Sequence, residues 1–428
     1  MADYAGSKEA LPSMRGRFLL LSNNGTYRRY ALARTVSLFG SGMATIALAF
    51  GALRISGSPT ALGLVLMCSA IPQALLMPAA GVLCDRLPRF RLIVLVDVVV
   101  AVSQFGVAAS LLWYQSLVYL LVGAAITGSG SAIFAPAYQR VLRDLVPRQD
   151  LVTATAALRM SFSVTKFVAP ALGGWLVGMV GPASVITLDG ASFLLAALLL
   201  RVLAMTGNRQ QGRQTNRVRA TADFLQGWSE FRSHGWLIVL VLQGAVGTLV
   251  WLIGFQLLGP TEAYESLGGA SSWGLISSSF AGGMITGSFL LVRWQPSRTG
   301  VAMCVATGVM AFPMFALALN WDGIWLICVA TAMTGVALDV SIVSFTVLLQ
   351  TSFSGEIQGR IFGLSNSGQL AVVPLAYVGA GSLASHIGLR PLFVGAGLAL
   401  LVAGFLPLAL SSIWTLDNSV SRTEVTAR

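Results

Sequence analysis

Long uninterrupted apolar runs dominate this sequence and restrict its fold more than any other feature. Runs of about 20 residues recur along the chain of 428 residues, each long enough to cross the ~30 Å hydrocarbon layer of a membrane as a helix. Only 10% of the residues are charged, whereas a soluble domain carries roughly 25%. Because transmembrane β-strands give short alternating segments instead, we predict an all-α membrane protein.

Twelve predicted helices fall into two groups of six around one long polar connection. We expect a tail over 1–29, a six-helix bundle over 30–204, a linker with an amphipathic helix over 205–235, a second bundle over 236–413 and a tail over 414–428. Paired halves with a site between them are common in secondary transporters. The helices are predicted over 30–53, 60–82, 91–113, 117–137, 152–178, 182–204, 236–258, 271–292, 299–319, 323–349, 362–385 and 391–413.

Basic residues collect in alternate connections between the predicted helices. They are frequent in the N-terminal tail and in connections 2–3, 4–5, 6–7 and 8–9, whereas the opposite connections contain only Arg54 and Arg390. This positive-inside pattern predicts a multi-pass protein of the cytoplasmic membrane with both termini in the cytoplasm. The net charge of +11 follows the same distribution. No basic run is interleaved with aromatic residues, so we do not expect nucleic-acid binding.

A charged stretch separates predicted helices 2 and 3. Its distinctive residues are Gly81, Asp85, Arg86, Arg89 and Arg91. This spacing resembles the signature loop of the major facilitator superfamily, with Pro88 in place of the usual Gly. The resemblance implies two pseudo-symmetric six-helix bundles, with the loop holding the first bundle to helix 11 when the cavity opens outward. Asp97, on helix 3, is expected to pair with an arginine of this loop.

Other segments resemble bacterial exporters of drugs, macrolides and siderophores. The segments 33–40 with 56–58, 128–137 and 188–194 are similar to the first hairpin, the helix 4 exit and helix 6 of those exporters. Helix 5 resembles the antiporter motif, with Ala169 in place of its usual Gly. We interpret this motif either as a seal against leak between the halves or as ordinary helix packing. Its residues are Lys166, Pro170, Gly173 and Gly174.

Ionisable residues inside the predicted helices are the candidates for mechanism, because each costs roughly 2.5–3.5 kcal/mol to insert at a helix centre. Asp339, in helix 10, is predicted to carry the coupling proton; a permanently charged helix contact and a substrate contact are the alternatives. Lys166 is interpreted as its ion-pair partner, as a contact to an anionic substrate group, or as a snorkelling or neutral amine. Arg34 is a substrate-binding candidate, although we expect it to reach the headgroups. Asp189 is expected to make a structural contact near the outer face.

Two departures from the related exporters affect the proton pathway. Those exporters often have an acid after the helix 1 Gly, where this chain has Ser41 after Gly40, and helix 4 lacks their membrane-embedded Arg. Their pathway therefore cannot be carried over, which favours Asp339.

Three residues of helix 7 are further candidates for substrate binding. Gln243, Trp251 and Phe255 follow each other at spacings of eight and four residues, which places them roughly on one helical face. Ordinary packing between helices is the alternative.

These observations predict a secondary transporter that exports an apolar or amphipathic small molecule by proton antiport with alternating access. Proton-coupled uptake, and a receptor or scaffold that transports nothing, are the alternatives. No phosphate-binding loop, metal cluster or nucleophile–base arrangement occurs, so we expect no enzyme, no cofactor and no metal site. The expected partners are a small-molecule substrate, protons and the lipid bilayer, and we expect a monomer.

Overall fold

The computed structural model describes residues 24–86, 88–147, 150–206, 232–294, 296–319, 323–353, 376–377, 379–414 and 416. The helices in this part of the chain are numbered by membrane crossing. They are α1 (Gly25–Ser56), α2 (Pro59–Arg86), α3 (Arg89–Ala109 with a π-helical end, Ser110–Tyr114), α4 (Leu117–Leu145), α5 (Leu151–Val180), α6 (Pro182–Thr206), α7 (Gly235–Trp251, π-helical Leu252–Leu258 and Gly259–Glu265), α8 (Ala270–Arg293), α9 (Thr299–Val309 and Ala311–Ala318), α10 (Ile324–Ser352), α11 (helical at 376–377 and 379–387) and α12 (Leu389–Phe405, extended by Leu406–Ala409 and Ser411–Trp414).

Eleven of the described helices are long and apolar enough to cross a membrane. The chain is therefore a multi-pass membrane protein, as its apolar runs predict. Helices suit this environment because they satisfy every backbone hydrogen bond within their own segment. Most predicted bounds hold within a few residues: the helix expected over 271–292 is Ala270–Arg293. Three bounds were wrong, because α4 continues to Leu145 rather than 137, α7 continues to Glu265 rather than 258, and α1 begins at Gly25, inside the expected tail. Of the helix expected over 362–385, residues 362–375 and 378 lie outside the described residues, as does most of the linker with its amphipathic helix.

The connection between α2 and α3 is shorter than the sequence analysis predicts. We expected helix 2 to end near residue 82, but α2 continues to Arg86 and α3 begins at Arg89, so residues 87–88 alone connect them. Pro88 explains the position of the break, because proline disfavours the helical conformation of the residue before it and lacks an N–H donor. The arginines beside it are good helix formers and do not end a helix by themselves.

Besides the irregular ends of α3 and α12, two helices predicted to be continuous change geometry in their interior. α7 changes to a π-helix over Leu252–Leu258, and α9 is interrupted at Met310. Apolar runs reveal neither feature, because the composition stays uniformly hydrophobic through both.

We refer to α1–α6 as the N-half and to α7–α12 as the C-half. Within the N-half, α6 packs against α1 and α3, and α2 packs against α4; within the C-half, α8 packs against α10, and α9 packs against α10 and α12. Small residues allow this close approach. A Cβ atom on Gly128 would overlap the carbonyl of Ser69, and one on Gly283 would overlap the carbonyl of Ala332. Such small-residue contacts are the usual way in which helices associate in a membrane.

Among the described residues, contacts between the halves gather toward the face at which α1 ends and α2 begins, here called the distal face. An added Cβ on Gly63 would lie 2.6 Å from the carbonyl oxygen of Tyr377, and one on Gly381 would lie 3.0 Å from the carbonyl oxygen of Pro59. Near the same face, the rings of Phe50 and Tyr264 lie 6.3 Å apart. The distal ends of α1 and α2 therefore adjoin those of α7 and α11.

Candidate functional site

The N-half contains a cavity of about 490 Å³ that reaches from α1 to α6. This volume falls in the range of small-molecule sites, which are mostly apolar with a few placed polar groups. Among the described residues, all of those that line it lie between positions 34 and 193, within the N-half. The polar side chains include Arg34, Ser41, Thr45, Gln104, Thr127 and Asp189, and the apolar ones include Leu48, Leu62, Val65, Leu66, Phe162 and Phe193.

Asp189 is the carboxylate of this cavity. It lies two turns into α6, which packs against α1 and α3, and its side chain is fully buried. Gln104 Nε2 donates a hydrogen bond to Asp189 Oδ2, and Ser41 Oγ donates a longer one of 3.4 Å to Oδ1. Both donors are neutral. Asp189 contacts neighbouring helices, and it also lines the interior cavity, which the predicted structural contact did not include.

Two features of the surroundings suit a carboxylate at this point. A Cβ on Gly40 would lie 2.7 Å from Asp189 Oδ1, so the glycine leaves room for the acid. Gln104 is also buried, and its Oε1 has no hydrogen-bond partner among the described residues. The orientation of this amide is fixed, because only its NH2 group can donate to the carboxylate.

Arg34 lies inside the N-half, which corrects the expectation that it reaches the headgroups. Its exposed fraction is 7%, and its guanidinium carbon lies 4.5 Å from the centre of the Phe134 ring. The stacking of a planar cation on an aromatic ring explains this inward position.

Asp97, on α3, is a second buried acid of the N-half. Its exposed fraction is 1%, and neither carboxylate oxygen has a hydrogen-bond partner among the described residues. Its predicted pairing with an arginine of the 2–3 connection remains a prediction, because the side chains of Gly81, Asp85, Arg86 and Arg89 lie outside the described residues. Arg91 is described, and its side chain is exposed.

The predicted proton-coupling residues lie in different halves. Asp339, on α10, is half-buried and accepts a hydrogen bond of 2.8 Å from Ser288 Oγ of α8. A Cβ on Gly287 would lie 3.1 Å from the Asp339 Cβ, which places the acid at the contact between α8 and α10. Lys166, on α5, has an exposed side chain.

The helix 5 motif lies where the two halves meet. A Cβ on Gly174 would lie 2.8 Å from the Cα of Gly274, on α8 of the C-half, and one on Gly274 would lie 2.6 Å from the Pro170 carbonyl oxygen. Gly173 faces the other way, toward the backbone of Met43 in α1. The two adjacent glycines thus let α5 approach one helix of each half.

Gln243 has different surroundings from Trp251 and Phe255, which corrects the common face expected for these three candidates on α7. Gln243 is buried and donates a hydrogen bond to Thr307 of α9. Trp251 and Phe255 stack with ring centres 4.4 Å apart and contact Phe280 of α8. Eight residues rotate an α-helix about 80° past two full turns, so positions 243 and 251 face different helices. These contacts favour ordinary packing between helices, the alternative to substrate binding.

A profile of the Major Facilitator Superfamily matches residues 30–376. The chain belongs to this superfamily. It is therefore a membrane-embedded transporter of small molecules and not an enzyme.

Macrolide efflux protein A of Streptococcus pyogenes is 24% identical over 92% of this chain and 98% of its own length. The multidrug efflux pump Tap of Mycolicibacterium fortuitum is 24% identical over 88% of this chain and 94% of its own length. Among solved structures, a bacterial homologue of the iron transporter ferroportin in an inward-facing state is similar, with a TM-score of 0.71. It is 15% identical, and the match covers 90% of this chain and 98% of that one. The likeness to this structure shows the shared fold.

The hydrogen-bonded group of Asp189, Gln104 and Ser41 is not predicted from the sequence. These residues come from α6, α3 and α1, and each looks isolated along the chain. One signal was available: Ser41 stands where related exporters often have an acid, and the structure brings the Asp189 carboxylate to that same serine.

Proposed function

We propose that this chain is a secondary active transporter that exports an apolar or amphipathic small molecule in exchange for protons. The 490 Å³ cavity of the N-half carries the proposal, because it combines a mostly apolar lining with a buried carboxylate, an arginine and an amide. The relatives named as macrolide and multidrug efflux proteins support export and point to drug-like substrates.

We further propose that transport proceeds by alternating access. The close contacts between Gly174 and Gly274, and between Gly63 and Tyr377, hold the halves together toward the distal face. The positive-inside rule predicts that the opposite face lies in the cytoplasm. This arrangement corresponds to a state open to the cytoplasm, the state named for the ferroportin homologue. The proposal places a monomer in the cytoplasmic membrane, with both termini inside.

Proton coupling is assigned in this proposal to Asp339. Its half-buried position between α8 and α10, with a neutral hydroxyl as its hydrogen-bond partner, supports a carboxylate that alternates between charged and protonated forms. Lys166 is its proposed partner in another state of the cycle. The helix 5 glycines seal the contact between the halves, and the charged 2–3 connection holds the N-half to α11 in the outward-open state.

Expression in an efflux-deficient bacterial host tests this proposed function. We expect the chain to raise the inhibitory concentration of macrolides or other amphipathic drugs in a panel, and a protonophore to abolish cellular export of a radiolabelled member of that panel. The host with an empty vector is the control. Equal susceptibility across the panel, together with unchanged drug accumulation, would contradict export.

A further inference from the structure

Two cations of α5, Arg159 and Lys166, have exposed side chains on one side of the helix. The adjacent glycines of α5 give the directions of its neighbours, because Gly173 meets the backbone of α1 and Gly174 meets the backbone of α8. At 100° per residue, Lys166 lies about 20° and Arg159 about 40° round the helix from Gly173, on the side toward Gly174. Both cations therefore point between α1 and α8.

The direction between α1 and α8 leads into the cleft between the two halves, because α1 belongs to the N-half and α8 to the C-half. The glycine contacts of α5 with α8 begin at Phe167 and continue to Gly178, toward the distal face. Lys166 and Arg159 come just before this contact, on the side away from the distal face. The opposite side of α5 has exposed apolar side chains, as a surface toward lipid requires: Val164, Trp175 and Met179.

Lys166 lies at a depth where a bare charge is costly. It is midway along the membrane span Thr153–Val180, and a charge at the centre of a membrane persists where it meets a partner or a water-filled cavity. Among the described residues, Asp97, Asp189 and Asp339 hydrogen-bond to neutral groups or to none. In this state of the molecule, an anionic ligand in the cleft would meet two cations that these acids leave available.

The cavity of the N-half adjoins the two cations and defines the rest of the ligand. Phe162, one turn before Lys166 on α5, lines that cavity together with Leu48 and Leu66. A molecule with its head at Lys166 can therefore extend an apolar body past Phe162 into the cavity. Substrate sites in transporters built from two repeats lie near the bilayer midplane, between the repeats, which is the position of Lys166.

We propose that Lys166 and Arg159 bind the anionic head of an amphipathic substrate, a carboxylate or a sulfonate, in the open cleft. Lys166 donates to the head at the midplane. Arg159, seven residues or about 10 Å nearer the cleft entrance, attracts the anion and supplies further donors. When the cleft closes, Asp339 replaces the anion at Lys166. This inference names the substrate class of the proposed exporter and rests on that function only in treating the ligand as cargo.

Three probes with the same alkyl chain and a dansyl label at its far end test the charge of the head: a carboxylic acid, its primary amide and the matching sulfonate. Binding to the purified full-length protein is followed by dansyl fluorescence in phosphatidylcholine nanodiscs, with empty nanodiscs as the blank, at a pH at which the acid is ionised. We expect the acid and the sulfonate to bind about tenfold or more tightly than the amide.

The variants assign this preference to the two cations. Lys166→Met should remove most of the advantage of the acid over the amide, whereas Lys166→Arg should keep it. Arg159→Met should reduce the advantage about threefold. Arg201→Met is the matched control, because it removes the same charge from an exposed position on α6, a helix that packs against α1 and α3, and it should leave the preference unchanged.

Several outcomes would overturn the site. Equal binding of acid and amide by the wild type would exclude an anionic head, and an unchanged preference in Lys166→Met would exclude this lysine. Phosphatidylglycerol in the nanodiscs should not abolish the difference between the wild type and Lys166→Met; its loss would assign the cations to lipid headgroups instead of cargo. Binding as expected, without proton-driven export, would contradict the proposed function and leave the site standing. Proton-driven export without this preference would do the reverse.

Discussion

Arg34 and Asp97 show how much the environment of single residues decides in this protein. Both are buried, and neither Asp97 carboxylate oxygen has a hydrogen-bond partner among the described residues. A buried acid is strongly destabilising when no cation compensates its charge, and Arg34 is a buried cation of the same half. The stability of the N-half should therefore depend on the two residues together.

We predict that Arg34→Met lowers the unfolding temperature in detergent, and that the double variant Arg34→Met/Asp97→Asn recovers most of the loss. Removing both charges leaves no isolated acid, so the two effects should be far from additive. Arg29→Met is the matched control, since Arg29 lies on the same helix with an exposed side chain. Additive losses in the double variant would show that the two residues are not coupled.

Residue types identify the candidates for the site but not their neighbours in space. Charged residues such as Asp189, Asp97 and Arg34 stand out in the apolar runs of the sequence. Which of them share a cavity depends on the rotation of α1, α3 and α6 about their axes. Nearly uniform hydrophobicity around a membrane helix leaves that rotation unspecified. The sequence alone therefore does not place Gln104 beside Asp189.

Among the elements, α5 has contacts that cross from one half to the other. Gly174 meets Gly274 of α8, and Phe167 packs over Gly282 of the same helix. Motif spacing alone left a seal and ordinary packing as equal alternatives for the helix 5 glycines. Their position between the halves adds support for a role in opening and closing.

We predict that Gly174→Val prevents the halves from approaching toward the distal face, because its side chain would overlap the α8 backbone. The assay is cross-linking of Phe50→Cys to Tyr264→Cys by a short bifunctional thiol reagent, since the native rings lie 6.3 Å apart near that face. This cross-link should form in the parent and at least about tenfold more slowly with Gly174→Val. Gly395→Val is the control, since that α12 glycine has open space around it. Equal rates in all backgrounds would contradict a role in closure.

Helix positions could be predicted because the thickness of the membrane imposes a length of about 20 apolar residues. The exact ends of helices and their internal irregularities could not be predicted. The continuation of α2 to Arg86 depends on Pro88, whereas the π-helical part of α7 depends on tertiary packing that a uniform apolar run does not encode. The separation of Gln243 from Trp251 follows from helix geometry that a rough count of spacing overlooked.

In the whole molecule, we expect the N-half to bind the substrate and the C-half to couple transport to protons. The N-half holds the cavity and Asp189, and the C-half holds Asp339 at the contact of α8 with α10. Asp339→Asn should abolish proton-driven export in proteoliposomes while binding of a radiolabelled drug stays within about twofold of the parent, because Asp339 and the cavity lie in separate halves. Undiminished export by this variant would remove Asp339 from proton coupling. Loss of binding would place it at the substrate site instead.

Drug movement in proteoliposomes under an imposed pH gradient is the direct test of export in exchange for protons. Vesicles containing the purified protein are loaded with a radiolabelled amphipathic drug to which it confers resistance, and the external pH is then lowered or raised. We expect the drug to move in the direction opposite to the protons and to reverse its direction when the gradient is reversed. A protonophore should abolish this movement. Movement in the same direction as protons would establish uptake by symport, and movement that ignores the gradient would contradict proton coupling.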